Sequence, residues 1–184
     1  KISLFVCGNV KFGDKLKEAL DSFASIKIKR VEPSYKEMEA ALRYAHELRS
    51  DYLIITKTNS IISNPYMLQK LIESDKKIIA PKLKLKGDSL YANFWRDIDD
   101  NGWYLEAEDY RDIALDKTKG VWNSPHISDF ILIRRDAIKS CFSMFENGYT
   151  HERGDFITFC ANLRNAGFFV YVNNQENYGY LCEE

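Results

Sequence analysis

The sequence predicts an α/β fold with a mostly parallel central sheet flanked by helices, followed by an irregular, aromatic-rich second half. Two observations carry this. Over residues 1–81, short apolar runs of strand length alternate with stretches whose apolar residues recur at helical spacing, the pattern that βα units produce. Over residues 88–125 the regularity is lost and aromatics concentrate, with Tyr91, Phe94, Trp95, Trp103, Tyr104, Tyr110 and Trp122. No internal repeat, low-complexity segment or linker interrupts the chain, so residues 1–184 are read as one domain.

Residues 1–8 (KISLFVCG) form a buried strand stopped by the Gly8-Asn9 turn pair. A helix is expected over 14–23, with Leu16, Ala19, Leu20 and Phe23 at helical spacing. Residues 26–31 alternate as a weak strand ended by Pro33. Ser34 and Glu37 make a capping box for a helix whose inner face is Tyr35, Met38, Leu42, Ala45 and Leu48. YLIIT (52–56) is a second buried strand, 68–72 a short helix and KIIAP (77–81) a third strand. Lys82, Lys84 and Lys86 alternate after it and read as the solvated side of a strand or hairpin. In the second half, Asp99-Asp100-Asn101-Gly102 is a hairpin turn signal. FILIR (130–134) is a strand. Residues 155–166 are a helix with Ile157, Cys160, Ala161 and Arg164 on one stripe, ended by Gly167 at C′. FFVYV (168–172) is the last strand.

A net charge of −1 gives no pull toward nucleic acid or acidic lipid, and no basic stretch carries flanking aromatics as a stacking platform. No apolar run approaches the roughly 20 residues of a membrane span. The opening lacks the sections of a signal peptide and enters a strand directly, which reads as mature sequence cut from a longer chain. The four cysteines, Cys7, Cys141, Cys160 and Cys182, form no CxxC pair and no zinc-ligand spacing. Cys7 and Cys160 are expected as buried thiols, and a Cys160–Cys182 bridge stays open for an oxidising compartment.

Several blocks then follow in order: KKIIAP, YANFW, WYLEAEDYRDI, GVWNSPHISDFILIRRDAI and FCANLRNAGFFVYVNNQENYGYL. They resemble the accessory, glycosyltransferase-like domain of procollagen-lysine hydroxylases and, more distantly, the first glycosyltransferase domain of collagen galactosyltransferases. The resemblance is strongest over residues 52–181 and weak before residue 49. It implies a GT-A glycosyltransferase-like fold, residence in the endoplasmic reticulum lumen or secretory pathway, and collagen or a collagen-like peptide as partner. It also implies neighbouring domains: a hydroxylase using Fe2+, 2-oxoglutarate and ascorbate, and a related glycosyltransferase using a UDP-sugar and Mn2+. No cofactor is expected in this domain itself. The implied role is a non-catalytic or weakly catalytic accessory domain; the alternative is an active hydroxylysine glycosyltransferase that uses a UDP-sugar without an Asp-x-Asp metal site.

One departure from the family pattern matters. GT-A enzymes place Asp-x-Asp just after a central strand; here YLIIT is followed by Lys57-Thr58-Asn59. Hard divalent ions want anionic oxygens, so no metal site is expected. Lys57 is either an exposed lysine at a strand end or a stand-in for the cation, neutralising a diphosphate. The degenerate nucleotide-sugar site would comprise Lys57, Asn59, Asn93, Trp95, Trp122 and Asn123, the last four as an aromatic and amide wall or as a structural mini-core. Asp155, in Gly154-Asp155-Phe156, is a weak candidate for a catalytic base against its reading as the first acid of a helix. His46, His126 and His151 form no iron triad, and His126 is read as structural or as lining the cleft. Glu106, Glu108, Asp109 and Asp112 make an acidic cluster, either a solvated loop or a groove for lysine-rich collagen.

Overall fold

The YLIIT run does not alternate because both of its faces are covered, and it becomes an interior strand of the main sheet. The computed structural model describes residues 2–7, 11–14, 18, 27–31, 35–56, 60–87, 90–99, 103–146 and 155–182. Within these, the first half contains β1 (Ile2–Cys7), β2 (Lys11–Phe12), β3 (Lys27–Val31), α1 (Tyr35–Glu47), β4 (Tyr52–Thr56), β5 (Ser60–Ile62), α2 (Met67–Glu73), β6 (Ile78–Pro81) and β7 (Lys84–Leu85). The irregular middle holds β8 (Phe94–Trp95), β9 (Asp97–Ile98), β10 (Tyr104–Leu105), α3 (Tyr110–Ala114), β11 (Val121–Asn123) and β12 (His126–Ile127). The chain then adds β13 (Phe130–Arg134), α4 (Arg135–Glu146), α5 (Asp155–Asn165), β14 (Tyr171–Asn173) and β15 (Gly179–Leu181).

The seven-stranded main sheet has the order β11-β14-β6-β13-β4-β1-β3. β3, β1, β4, β6 and β14 run one way, and β13 and β11 run against them. The sheet is thus mostly parallel in strand direction, as expected. β13 is the exception that matters, because it lies between β4 and β6 and pairs with β4 along its whole length, from Phe130↔Thr56 to Arg134↔Tyr52. A four-stranded sheet, β2-β5-β15-β7, takes in β5 just after β4 and β7 just after β6.

Period-two alternation of side chains sends successive residues of β4 to opposite faces. Leu53 and Ile55 join a core with α1, α4 and α5 residues, including Met38, Leu42, Ile138, Phe159 and Leu163. Ile54 faces the other way, with Ile79, Leu132 and α2 residues Met67, Leu68 and Leu71. Each fully buried Leu or Ile contributes roughly 1.5–3 kcal/mol, so this sandwich of two helical layers on one sheet is the main source of cohesion.

The expected strands at 1–8, 26–31, 52–56, 77–81 and 130–134 are present within a residue or two, as is the short helix near 68–72. Ser34 of the expected capping box lies outside the described residues; so does most of the 14–23 helix, of which Asp14 and Glu18 are helical. The Asp99 turn signal produces the β9–β10 hairpin, where Asp99 Oδ1 accepts from the Trp103 amide at 2.7 Å. Four expectations need correction. α4 was not anticipated, since FILI runs straight into it without a break; among its described side chains Ala137, Ile138 and Cys141 are buried. α5 buries Phe156, Phe159, Cys160 and Leu163, not the stripe of Ile157, Ala161 and Arg164. The strand expected over 168–172 as the last one is β14, which starts only at Tyr171, with Phe169 before it 65% exposed, and β15 follows it. Lys82 is not solvated: it is 4% exposed, because the chain turns inward after Pro81 and Asp116 receives its charge. No described helix is long and apolar enough to cross a membrane.

Candidate functional site

In sheets of this type ligands sit beyond the carboxyl ends of the parallel strands. β4 ends there at Thr56 and β6 at Pro81. Because β13 is antiparallel, its first residues reach the same edge and bring Ser128 and Asp129 with them. The Thr56 hydroxyl donates to the Asp129 carbonyl at 3.0 Å. Asp129 has φ +66°, a left-handed backbone that few non-glycine residues adopt, and the Ser128 hydroxyl donates to its carboxylate. Tyr91 stands nearby, 46% exposed; burial, and then the Asp129 charge, push its phenol above the usual range, while a Ser128 hydrogen bond opposes the shift.

Asn93 ties this edge together. Its Nδ2 donates to the carbonyls of Pro81 at 3.0 Å and Ser128 at 3.1 Å, and its Oδ1 accepts from the Leu83 amide at 2.7 Å. The side chain is fully buried and fully engaged. Lys82 is likewise committed inward: its Nζ donates to the Ala114 carbonyl at 3.1 Å and to the Asp116 carboxylate at 2.5 Å. Burial pulls the Lys82 ammonium below its ordinary value, against the Asp116 hydrogen bond and charge.

Of the residues expected to form one site, the described ones lie on several elements. Lys57 and Asn59 lie outside the described residues. Asn93 is at the carboxyl edge but within the frame of the fold. Trp95 packs in an aromatic cluster, 5.0 Å from His126, 5.8 Å from Tyr104 and 5.8 Å from Tyr91. Trp122 donates from Nε1 to Asn174 Oδ1 at 2.8 Å. Asn123 pairs with Tyr171, the first residue of β14, and so belongs to the opposite edge of the sheet. Asp155 is the first residue of α5, with its side chain outside the described atoms. His126 is 3% exposed and stacked on Tyr104 at 4.2 Å; burial first, and the Arg164 charge second, pull it down to about 3. In the acidic cluster, Asp109 pairs with Arg96 at 2.8 Å and Asp112 with Lys117 at 3.1 Å, while Glu106 and Glu108 are exposed.

Sequence reasoning missed Thr56, Ser128 and Asp129 as a group, since only the antiparallel insertion of β13 brings them together. The available signal was the Ser-Asp pair directly before the FILIR run. Among the described residues no three His, Cys, Asp or Glu side chains gather to hold a metal ion. Among the described residues at this edge there is one carboxylate, Asp129, which accepts from the Ser128 hydroxyl, and the Thr56 hydroxyl is spent on a carbonyl. That set does not fit a hard divalent ion, which takes several anionic or carbonyl oxygens.

The doubly wound sheet, with an antiparallel strand inserted beside β4, is the GT-A glycosyltransferase fold. Among solved structures, the crystal structure of GalNAc-T7 with UDP, GalNAc and Mn2+ aligns with a TM-score of 0.57 at 12% identity, over 100% of this chain and 43% of that one. The crystal structure of A197 from STIV aligns with a TM-score of 0.58 at 11% identity, over 95% of this chain and 82% of that one. At such identities the likeness concerns the fold alone. The model of the glycosyltransferase family 25 N-terminal domain matches residues 17–184, and the chain belongs to that family. Human procollagen galactosyltransferase 2 is 38% identical over 149 residues, 79% of this chain and 24% of the relative (Homo sapiens). Procollagen-lysine,2-oxoglutarate 5-dioxygenase 1 of Bos taurus is 30% identical over 170 residues, 90% of this chain and 23% of the relative. The multifunctional procollagen lysine hydroxylase and glycosyltransferase of Rattus norvegicus is 27% identical over 190 residues, 98% of this chain and 26% of the relative. The chain thus spans about a quarter of the length of these relatives.

Proposed function

We propose that this domain is a glycosyltransferase-like accessory module of a collagen-modifying lysyl hydroxylase, non-catalytic or only weakly catalytic in sugar transfer. It arranges the neighbouring hydroxylase and glycosyltransferase domains and docks collagen or a collagen-like peptide, in the endoplasmic reticulum lumen or secretory pathway. The observation that carries this reading is the use of the carboxyl edge. Where a transferase keeps paired carboxylates facing a diphosphate, this chain has Lys57-Thr58-Asn59, and its described polar groups there are turned to holding the fold. The kinship with procollagen-modifying relatives supports the collagen partner.

Calorimetric titration of the chain with uridine diphosphate, with and without Mn2+, tests it. No heat in either case is the expected result. Metal-independent binding that disappears in Lys57→Ala would instead favour an active transferase in which an ammonium replaces the metal. Binding that requires Mn2+ would overturn the reading and point to Asp129 or Asp155 as the missing carboxylate.

A further inference from the structure

A second concavity lies away from the carboxyl edge. It is a cleft of about 510 Å3 between β9, the 123–125 turn and the segment that follows α5, within the size range of small-ligand sites. It opens where Asn123 meets Tyr171, at the amino end of β14. Two guanidinium groups hold its wall. Arg96 Nη1 donates to the Asn123 carbonyl, and Arg164 Nη1 donates to the Pro125 carbonyl. Those acceptors are two residues apart, so they stand within roughly 7 Å of each other along the chain.

The two arginines differ in charge balance. Arg96 is neutralised by Asp109, which receives its Nε at 3.2 Å and its Nη2 at 2.8 Å. Arg164 is half-buried and has no carboxylate within ion-pair distance among the described residues. Its field is felt by the buried His126 behind it. The acid lining the cleft, Asp97, turns a carboxylate oxygen to the Ile98 amide at 2.8 Å.

The apolar part comes from the helix terminus. Gly167, at φ +80°, closes α5: its amide donates to the Arg164 carbonyl at 2.9 Å, and the Phe168 amide donates to Leu163 at 2.9 Å. That turn packs Phe168 on the core and leaves Phe169 65% exposed on the same rim as Arg164. A guanidinium fork matches a carboxylate in shape and charge, and an exposed phenyl beside it offers apolar area. Arg96 is neutralised by Asp109 and Asp97 adds a negative charge to the lining, so Arg164 is the guanidinium of the cleft without a carboxylate partner among the described residues, which suits a monoanion better than a phosphate dianion.

We infer that this cleft binds a carboxylate carried on an aromatic or aliphatic body, with Arg164 receiving the anion and Phe169 the apolar part. The carboxylate belongs either to the end of a peptide chain or to a small organic acid. This assignment does not rest on the accessory role proposed above, since the two sites lie at opposite edges of the sheet.

Titration of the chain with N-acetyl-phenylalanine and with its C-terminal amide tests it, beside a four-residue peptide ending in phenylalanine. The acid should bind about tenfold more tightly than the amide. Arg164→Gln, which keeps a donor for Pro125, should abolish that preference, and Phe169→Ser should weaken binding of the acid severalfold. Tighter binding of the peptide assigns a chain end; equal binding assigns a small acid. Equal affinity for acid and amide, or a preference that survives in folded Arg164→Gln, overturns the assignment. Should Arg164→Gln fail to fold, Phe169→Ser decides, because an exposed side chain can change without loss of the fold and unchanged affinity would then sink the idea.

Discussion

His126 links one imidazole to the acid stability of the domain. Burial keeps it neutral, with its value pulled down to about 3 from 6.5. The unfolded chain binds that proton near pH 6.5, and the folded chain refuses it until about pH 3. Stability from this residue is therefore complete above pH 6.5 and falls as pH drops toward 3, by about 2 kcal/mol at pH 5. Urea midpoints at pH 7 and pH 5 measure it; a His126→Phe variant should lose most of the slope, and an equal slope in both would refute the assignment. The thiols give a second test. Burial pushes Cys141 up to about 12 and Cys160 up to about 11, and the Cys160 thiol donates to the Ile127 carbonyl at 3.5 Å. Cys141, Cys160 and Cys182 are all free, so the Cys160–Cys182 bridge left open by the sequence is absent. Native alkylation at pH 8 should label the half-buried Cys182 and reach Cys141 and Cys160 only in denaturant.

Among the elements, the small sheet beside the carboxyl edge is the most exposed to a single change. Gly179 in β15 has φ +151°, and a Cβ there would stand 2.1 Å from the Ile61 carbonyl oxygen of β5. Backbone must move to admit it, so Gly179→Ala should cost on the order of 3 kcal/mol, read as a lowered urea midpoint; a variant as stable as the parent would show that β5 and β15 are loosely held. Nothing in a one-residue glycine betrays this in the sequence, because the crowding comes from a strand more than a hundred residues earlier. The buried strands were legible for the opposite reason: YLIIT and FILIR are short, apolar and unbroken, and both faces of the sheet need such residues. Lys82 was misread because alternation reports which side a residue takes, not whether a carboxylate waits there. The α5 stripe was misread by choosing one helical face when Phe156, Phe159, Cys160 and Leu163 at i, i+3, i+4 and i+7 gave the better one.

For the molecule as a whole, the α/β class could be read directly, while the meeting of Thr56, Ser128 and Asp129 at the carboxyl edge could not. Trp122 and Asn123 were grouped with Asn93 by chemistry, yet β11 pairs with β14 at the far margin of the sheet. Asp129 escaped notice because topology alone delivers it to Thr56. That same insertion of β13 governs how the polypeptide must be made. β4 and β6 share no edge until residues 130–134 arrive between them. During vectorial synthesis β6 is thus an unpaired, wholly apolar strand while roughly fifty further residues are added, a delay of about 3–10 s at ordinary translation rates. A chain truncated after residue 127 should consequently be aggregated or rapidly digested by protease, and a soluble, protease-resistant truncation would contradict this. For those seconds the nascent domain carries an apolar strand whose neighbour has not yet been translated.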